Sequence, residues 1–499
     1  MCKLLSLLAL ATLFSCGDPA GATSATAPTR SSATIGSATA TSAISIGELE
    51  GRQLESPNIR VSIVGVPMEG ALLIGQFAEQ QFRADEGVVI GNAVVFKRDE
   101  PYKPGHYYCY FSDGAAVQLL IDQDQTFSLS APNAQNALLD MKVEGSVDNE
   151  LFYKILKFEA GQQDEFRMLG DAVRGTGQGT PEYDKLQADR ATLVDNRLAF
   201  QNELFAKHPK SLFTSFKRAG RNPQLRDIRL PDGTLDEKAQ VAAFRDDFWE
   251  DVDFNDTRLL NTPVIFNKLK RYIKELTPQN AKAIIESSDK LVKLALDKPE
   301  FFKFFANWIT LQYEPGKTTV MDGAAIHVHM VQNYFTKDRA FWTDSMTVYG
   351  LQQRADQMAY SLIGQKGPDI TVPDVNGTPK RLYDLKKPFI AVYMYNPECE
   401  HCIEETPKFV QVMNELKSEL DVYAIALDTD PAKWKKFIKA NGMSSWTNVY
   451  DPTNRSIFKT YYVDNTPELY LLNKDREIVA KNLKVSQLKD AIRLAKEKG

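Results

Sequence analysis

Phe389-Ile-Ala-Val-Tyr-Met-Tyr-Asn-Pro-Glu-Cys-Glu-His-Cys402 is the stretch that decides the fold of the C-terminal part of this chain. Its first seven residues, 389–395, are apolar throughout, as a strand covered on both faces must be. Asn396-Pro397-Glu398 turns the chain. A helix expected from Cys399 to Glu419 then begins on the first of two cysteines placed one helical turn apart. The whole chain has only five cysteines, so such a pair is a signal rather than a by-product of abundance. At a helix N-terminus the unpaired backbone N–H groups and the dipole favour a thiolate. The pattern therefore predicts that Cys399 attacks and that Cys402 resolves the mixed disulfide. His401 between them is expected to depress the Cys399 pKa, whereas Glu398 and Glu400 oppose it with negative charge.

The segments around this motif read as one α/β layer plan. Residues 364–369 open the unit, 422–427 form a second buried strand, and 431–441 a second helix. Thr466-Pro467 precedes a strand over 468–472, a turn at 473–476 leads into a strand over 477–480, and an amphipathic helix over about 486–497 ends the chain. A zinc site would need two further Cys or His ligands, and no second pair exists. A purely structural disulfide of such short span would add little loop-closure stabilisation.

With these elements in order, residues 363–499 resemble the thioredoxin superfamily, in particular its membrane-tethered TlpA/ResA-like thiol–disulfide oxidoreductases. The resemblance implies a thioredoxin-like fold in which Pro467, after Thr466, is a cis-proline whose neighbouring backbone pairs with the substrate chain. It also implies that Glu405, two residues before Pro407, handles protons for the resolving thiol. The family's tryptophan before the first cysteine is here Glu398, which removes an aromatic wall and adds charge. The Thr-x-x-Cys of a peroxidatic loop is missing, with Asn396 where the threonine would stand.

Upstream, four further segments are expected. Residues 1–15 read as a lipoprotein signal peptide with an apolar core at 4–14, too short to span a bilayer. Leu13-Phe14-Ser15-Cys16 resembles a lipobox, which makes Cys16 the lipidated residue. Residues 16–45, rich in Ala, Ser, Thr and Gly, read as a flexible tether. Residues 46–148 read as a small all-β domain with turns at roughly ten-residue intervals; within it Asp122–Gln125 is expected to be a hairpin turn and Cys109 a buried small hydrophobe. The hydrophobic period changes near Gly145-Ser146, and 149–362 reads as an α-helical domain. There Thr277-Pro278 is expected to start a helix with Thr277 as N-cap. Ile284, Ile285, Leu291, Val292 and Leu296 form its apolar stripe, and Phe301, Phe302, Phe304, Phe305 and Trp308 a packed cluster. His327 and His329, two apart on a helix, point to different faces and suggest no metal. The small β domain ending in Gly145-Ser146 resembles N-terminal domains often joined to thioredoxin units, and the helical segment, with Phe244-Arg245-Asp246-Asp247-Phe248-Trp249 and Asp256-Thr257-Arg258-Leu259-Leu260, is similar to an uncharacterised helical family found in the same architecture.

The architecture expected is therefore multidomain: a small all-β domain, a central α-helical domain and a C-terminal α/β thioredoxin-like domain. Net charge is −5 with both signs interspersed, which argues against nucleic acid as a partner. The function expected is a lipid-anchored periplasmic thiol–disulfide oxidoreductase in the envelope of a Gram-negative-type bacterium, with a mild preference for the outer membrane. Its partners would be protein thiols and disulfides and a membrane redox protein, with no cofactor or metal. The alternative is a ligand- or partner-binding lipoprotein with an auxiliary thioredoxin-like unit.

Overall fold

The computed structural model describes Leu54 and residues 56–498, apart from 454 and 464. The segments expected to be a signal peptide and a tether, with Cys16, lie outside the described residues. The described chain has a β-rich region, a helical region and a C-terminal thioredoxin-like α/β region, as the sequence predicts. It packs as two compact units, one ending at Tyr272 and the other beginning at Ile273.

The first unit opens with two sheets. One has the order β4-β5-β1-β8-β9 and the other β3-β2-β6-β7. Here β1 is Asn58–Ile63, β2 Leu72–Phe77, β3 Gln80–Glu86, β4 Val88–Ile90, β5 Ala93–Lys97, β6 Gly105–Tyr110, β7 Ala116–Ile121, β8 Thr126–Ala131 and β9 Lys142–Glu144. Alternate residues of β1 and β8 are buried, the period-2 pattern of strands with one covered face. Cys109 on β6 is fully buried, as expected, and burial pushes its thiol up to about 12.

The expected hairpin at Asp122–Gln125 is not one. β7 and β8 belong to different sheets, and β8 pairs in parallel with β1 instead. The crossover is held by its own side chains. Gln125 is buried and makes three hydrogen bonds of 2.8–3.0 Å to the main chain of Tyr102 and Asp122. Asp122 is buried against Arg258 at 2.7 Å; burial pushes its carboxyl up to about 7 despite that guanidinium.

A single helical turn, α1 (Ala137–Asp140), precedes the first long helix, α2 (Val147–Gly175), which starts where the period changes. Ser146 caps it by accepting from Asn149 N–H, and the buried Asn149 side chain bonds both Leu120 N–H and C=O of β7. The helices α3 (Pro181–Lys207), α4 (Leu212–Ala219), α5 (Glu237–Asp246) and α6 (Pro263–Arg271) complete this unit. Phe158 of α2 stacks on Phe200 of α3 at 4.1 Å.

The second unit begins with the helices α7 (Ala281–Leu294), α8 (Pro299–Gln312), α9 (Gly323–Tyr334) and α10 (Ser345–Ala359). Thr277 does not cap α7. Its hydroxyl is buried against Ser287 at 3.0 Å, and Asn280 takes the cap position, accepting from Ala283 N–H. Ile284, Leu291 and Val292 are buried, but Leu296, beyond the helix end, is 43% exposed. Phe301, Phe302, Phe305 and Trp308 are core residues. His327 bonds the Thr310 carbonyl and His329 the Asp289 carboxylate, so the two imidazoles serve different neighbours.

The rest of the unit is a five-stranded sheet of order β14-β13-β12-β15-β16, preceded by a small hairpin of β10 (Thr371–Pro373) and β11 (Pro379–Arg381). β12 (Phe389–Tyr395) is buried at every residue and runs parallel to β13 (Leu420–Leu427) and antiparallel to β15 (Glu468–Leu472). β14 (Thr447–Asp451) and β16 (Ile478–Ala480) are the edges. Alternate residues of β12 feed two separate cores. Phe389, Ala391, Tyr393 and Tyr395 pack with α11 (Glu400–Leu416), α12 (Pro431–Asn441) and α14 (Leu488–Lys498). Ile390, Val392 and Met394 pack with α13 (Arg455–Tyr461) and the segment leading to β12.

The helices before this sheet are tied to it by one buried ion pair. Asp322, just before α9, lies 3.7 Å from Lys481, just after β16, with the side chains 5% and 6% exposed. Asp322 also accepts from Ile363 N–H at 2.8 Å. Breaking a buried pair leaves an uncompensated charge, which is far costlier than losing a surface pair. Asp322→Ala is expected to destabilise this unit by about 3 kcal/mol, read as a lowered urea midpoint. Asp475→Ala on an exposed turn should stay within about 0.5 kcal/mol.

Candidate active site

The buried end of β12 delivers the chain to a tight turn. Asn396 organises it by accepting Glu398 N–H on Oδ1 at 2.7 Å and donating from Nδ2 to the Asp428 carbonyl at 3.0 Å. Its own carbonyl accepts Cys399 N–H at 3.1 Å. Cys399 therefore stands at the N-cap of α11, in extended backbone geometry. Its carbonyl accepts the first intrahelical bond from Ile403 at 3.0 Å. The sulfur is half-buried and donates to the Thr466 carbonyl at 3.2 Å.

The two thiols sit in opposite electrostatic settings. Burial alone would raise the Cys399 pKa. That effect is outweighed by hydrogen bonds from the Cys402 thiol and the Cys402 N–H, then from the Thr466 side chain and the His401 N–H, so its net pKa is lowered. Cys402, one turn on, is fully buried, and that burial pushes it up to about 12. Both cysteines are free thiols.

The sequence-predicted residues converge unevenly. Cys399, Cys402 and Thr466 come together, and the Thr466–Pro467 peptide is cis. His401 is exposed, and its contribution to Cys399 comes through its backbone N–H. Glu405 is half-buried one turn beyond Cys402, where it pairs with Lys408 at 2.7 Å. Glu398 is exposed and held by Lys433 of α12 at 2.5 Å. Cys16 lies outside the described residues.

Support beneath the site was not singled out in the sequence. Thr406 donates to the Cys402 carbonyl at 2.7 Å and bonds the buried Tyr393 hydroxyl, also at 2.7 Å. The Tyr395 hydroxyl accepts from Trp434 Nε1 at 3.1 Å. Both tyrosines lie near enough to Cys402 for a thiolate there to raise their pKa values, which burial already raises. Their only signal in the sequence is a pair of phenols at alternate positions of an otherwise aliphatic buried strand, where each hydroxyl needs a partner.

Comparison with known proteins agrees with this construction. Residues 363–481 match the AhpC/TSA family. The thiol–disulfide oxidoreductase ResA of Bacillus cereus is 30% identical over 121 residues, 24% of this chain and 68% of that protein. ResA of Bacillus anthracis is 29% identical over 119 residues, 23% and 67% of the two chains. Among solved structures, a domain of a possible thiol–disulfide isomerase from Cytophaga hutchinsonii is 32% identical, covering 28% of this chain and 95% of that domain, with a TM-score of 0.26. A thioredoxin-like protein from Bacteroides caccae is 17% identical, covering 55% and 99%, with a TM-score of 0.44. Through residues 363–481 the chain belongs to the thioredoxin superfamily, as a ResA-like thiol–disulfide oxidoreductase.

Proposed function

We propose that this protein exchanges disulfides with extracytoplasmic protein substrates through Cys399 and Cys402, from a lipid anchor at Cys16. The observation that carries the chemistry is the placement of the Cys399 sulfur at the α11 N-terminus, 3.2 Å from the Thr466 carbonyl, above a fully buried Cys402. The Cys399 thiolate attacks one sulfur of a substrate disulfide. That S–S bond breaks, a mixed disulfide forms, and the departing substrate thiolate takes a proton. Cys402 then loses its proton and attacks the Cys399 sulfur. The second substrate thiolate leaves and is protonated, and Cys399 and Cys402 are joined. The substrate gains two electrons and the site loses them; substrate oxidation runs through the same atoms in reverse.

Each neighbour has one task. Thr466 and Pro467 present the backbone along which the substrate strand lies, and the proposed cis-proline role is supported by the contact of Thr466 with the attacking sulfur. His401 supplies a backbone N–H to the Cys399 sulfur. Glu405, one turn beyond Cys402, receives the resolving proton. The buried chain from Tyr393 through Thr406 to the Cys402 carbonyl holds the first turn of α11 in place.

The anchor at Cys16 places the protein in a bacterial envelope, facing the periplasm and most simply on the outer membrane, with a membrane redox protein resetting the dithiol. Among the described residues no helix is long and apolar enough to cross a membrane.

Three outcomes are expected. Cys399→Ser reduces insulin disulfide turnover to the buffer rate, whereas Cys402→Ser accumulates mixed disulfides on Cys399, seen as adducts on non-reducing gels; wild-type turnover by Cys399→Ser refutes the assignment. Iodoacetamide labels Cys399 at least about a hundredfold faster than Cys402 at neutral pH, by peptide mass spectrometry. Because the Cys399 pKa is depressed, its labelling rate climbs with pH and levels off below the ordinary thiol range. Cys16→Ser moves the protein from the membrane fraction to the soluble fraction; unchanged sedimentation with membranes refutes the anchor.

A further inference from the structure

Helix α11 turns a single stripe toward the sheet. Cys402, Thr406, Phe409, Met413 and Leu416 recur at helical spacing, and all are buried. Val410 and Val412 are partly buried against the same core. Ile403 lies off that stripe. It packs in neither of the sheet's two cores and is 52% exposed. The exposed residues beside it, Glu400, His401 and Glu404, are all polar or charged. A lone apolar residue on a surface is ordinary; the position of this one gives it a use. Ile403 donates its N–H to the Cys399 carbonyl at 3.0 Å, so the two residues stand one helical turn apart. Side chains in that relation are about 5–6 Å apart at Cβ. A helical side chain also leans toward the N-terminus and covers the turn before its own Cα. The Ile403 side chain therefore leans toward the end of the helix that carries the Cys399 sulfur. Its branched Cβ restricts it to few rotamers, so the apolar surface it presents is fixed.

We propose that Ile403 is a specificity-determining residue, which contacts an apolar side chain two positions from the reactive cysteine of the substrate. The inference rests on the exchange reading of Cys399 and names what that site selects. A substrate strand lying along the Thr466 backbone presents alternate side chains to one face. The residue two positions from its cysteine faces the same way as that cysteine, roughly 6–7 Å along the strand. This spacing is close to that of two side chains one helical turn apart, as Cys399 and Ile403 are. When the substrate sulfur meets Cys399, an apolar residue at that position removes the exposed face of Ile403 from water. A polar residue of the same shape loses its own water there and finds no hydrogen-bond partner on the isoleucine.

The test compares two cysteine peptides presented as disulfide dimers, identical except for Leu or Asn two residues from the cysteine on both sides. Reduced protein is mixed in excess with each dimer. One Cys399/Cys402 dithiol reduces one disulfide and releases two peptide thiols, whose rate constant of release is read. Wild-type protein is expected to reduce the Leu dimer roughly three- to tenfold faster than the Asn dimer, the gain from burying roughly 30–60 Å² of apolar surface. The preference persists in 1 M NaCl, because no charge carries it. Ile403→Ser abolishes it and Ile403→Leu keeps it. Leu494→Ala leaves it as in wild type; Leu494 is also exposed, but on α14, whose Lys489 and Lys496 pair with Glu415 and Glu419 at and just past the other end of α11. An unaltered ratio in Ile403→Ser overturns the inference, as does an equal loss in Leu494→Ala. Hydroxyethyl disulfide serves as a small substrate with no flanking chain. If wild-type protein fails to reduce it, the exchange reading itself fails and the role of Ile403 falls with it; reduction of it and of both peptide dimers without preference overturns the role of Ile403 alone.

Discussion

The complete burial of β12 is the constraint from which the C-terminal unit follows. A strand buried at all seven residues has no solvent face, so both of its sides require cover. The odd and even residues recruit two different sets of helices, and the sheet becomes the middle of three layers. The first polar residue after the strand, Asn396, is also the first place the chain can leave the core. Its side chain closes the turn that sets Cys399 at a helix N-terminus. The site is where a fully buried strand emerges, and its chemistry derives from that exit. One thiol lies at the surface of the core beside backbone N–H donors, and the other lies inside it, one turn away.

Much of this was legible because it is local. The apolar run, the turn, the cysteine spacing and the Thr-Pro pair each announce themselves within a few residues. The parts that were not legible depend on partners distant in the chain. The turn at Asp122–Gln125 has ordinary hairpin chemistry; only the parallel pairing of β8 with β1 makes it a crossover between sheets. Thr277 and Asn280 are both plausible caps, and the buried Ser287 hydroxyl decides between them by engaging Thr277. β14 reads Thr-Asn-Val-Tyr-Asp, too polar for a buried strand, and exists as an edge because β13 offers it a parallel ladder. Tyr393 and Thr406 read as strand and helix filler until the fold brings their hydroxyls together beneath Cys402.

The Asp322–Lys481 pair, the Arg354–Tyr462 bond and the Ser361–Tyr461 bond all join helices α9 and α10, or the segments beside them, to the thioredoxin-like sheet or the loop before Pro467. The helical half of this unit is consequently tied to the sheet and to the segment that leads to Thr466 and Pro467. Polar connections of this kind specify one relative placement, because each has a direction and a partner, whereas an apolar seam tolerates sliding.

The burial of Cys109 has a consequence for fidelity. A protein that trades disulfides carries, in the same chain, the very nucleophile able to attack its own other thiols once oxidised. Cys109 is fully enclosed in its strand and its thiol is pushed up to about 12, so near neutrality it holds almost no thiolate. Cys402 is shielded in the same way, fully buried with its thiol pushed up to about 12. Self-inflicted misbridging is thus suppressed by packing: of the three described thiols, only Cys399 is both partly exposed and held at a lowered pKa.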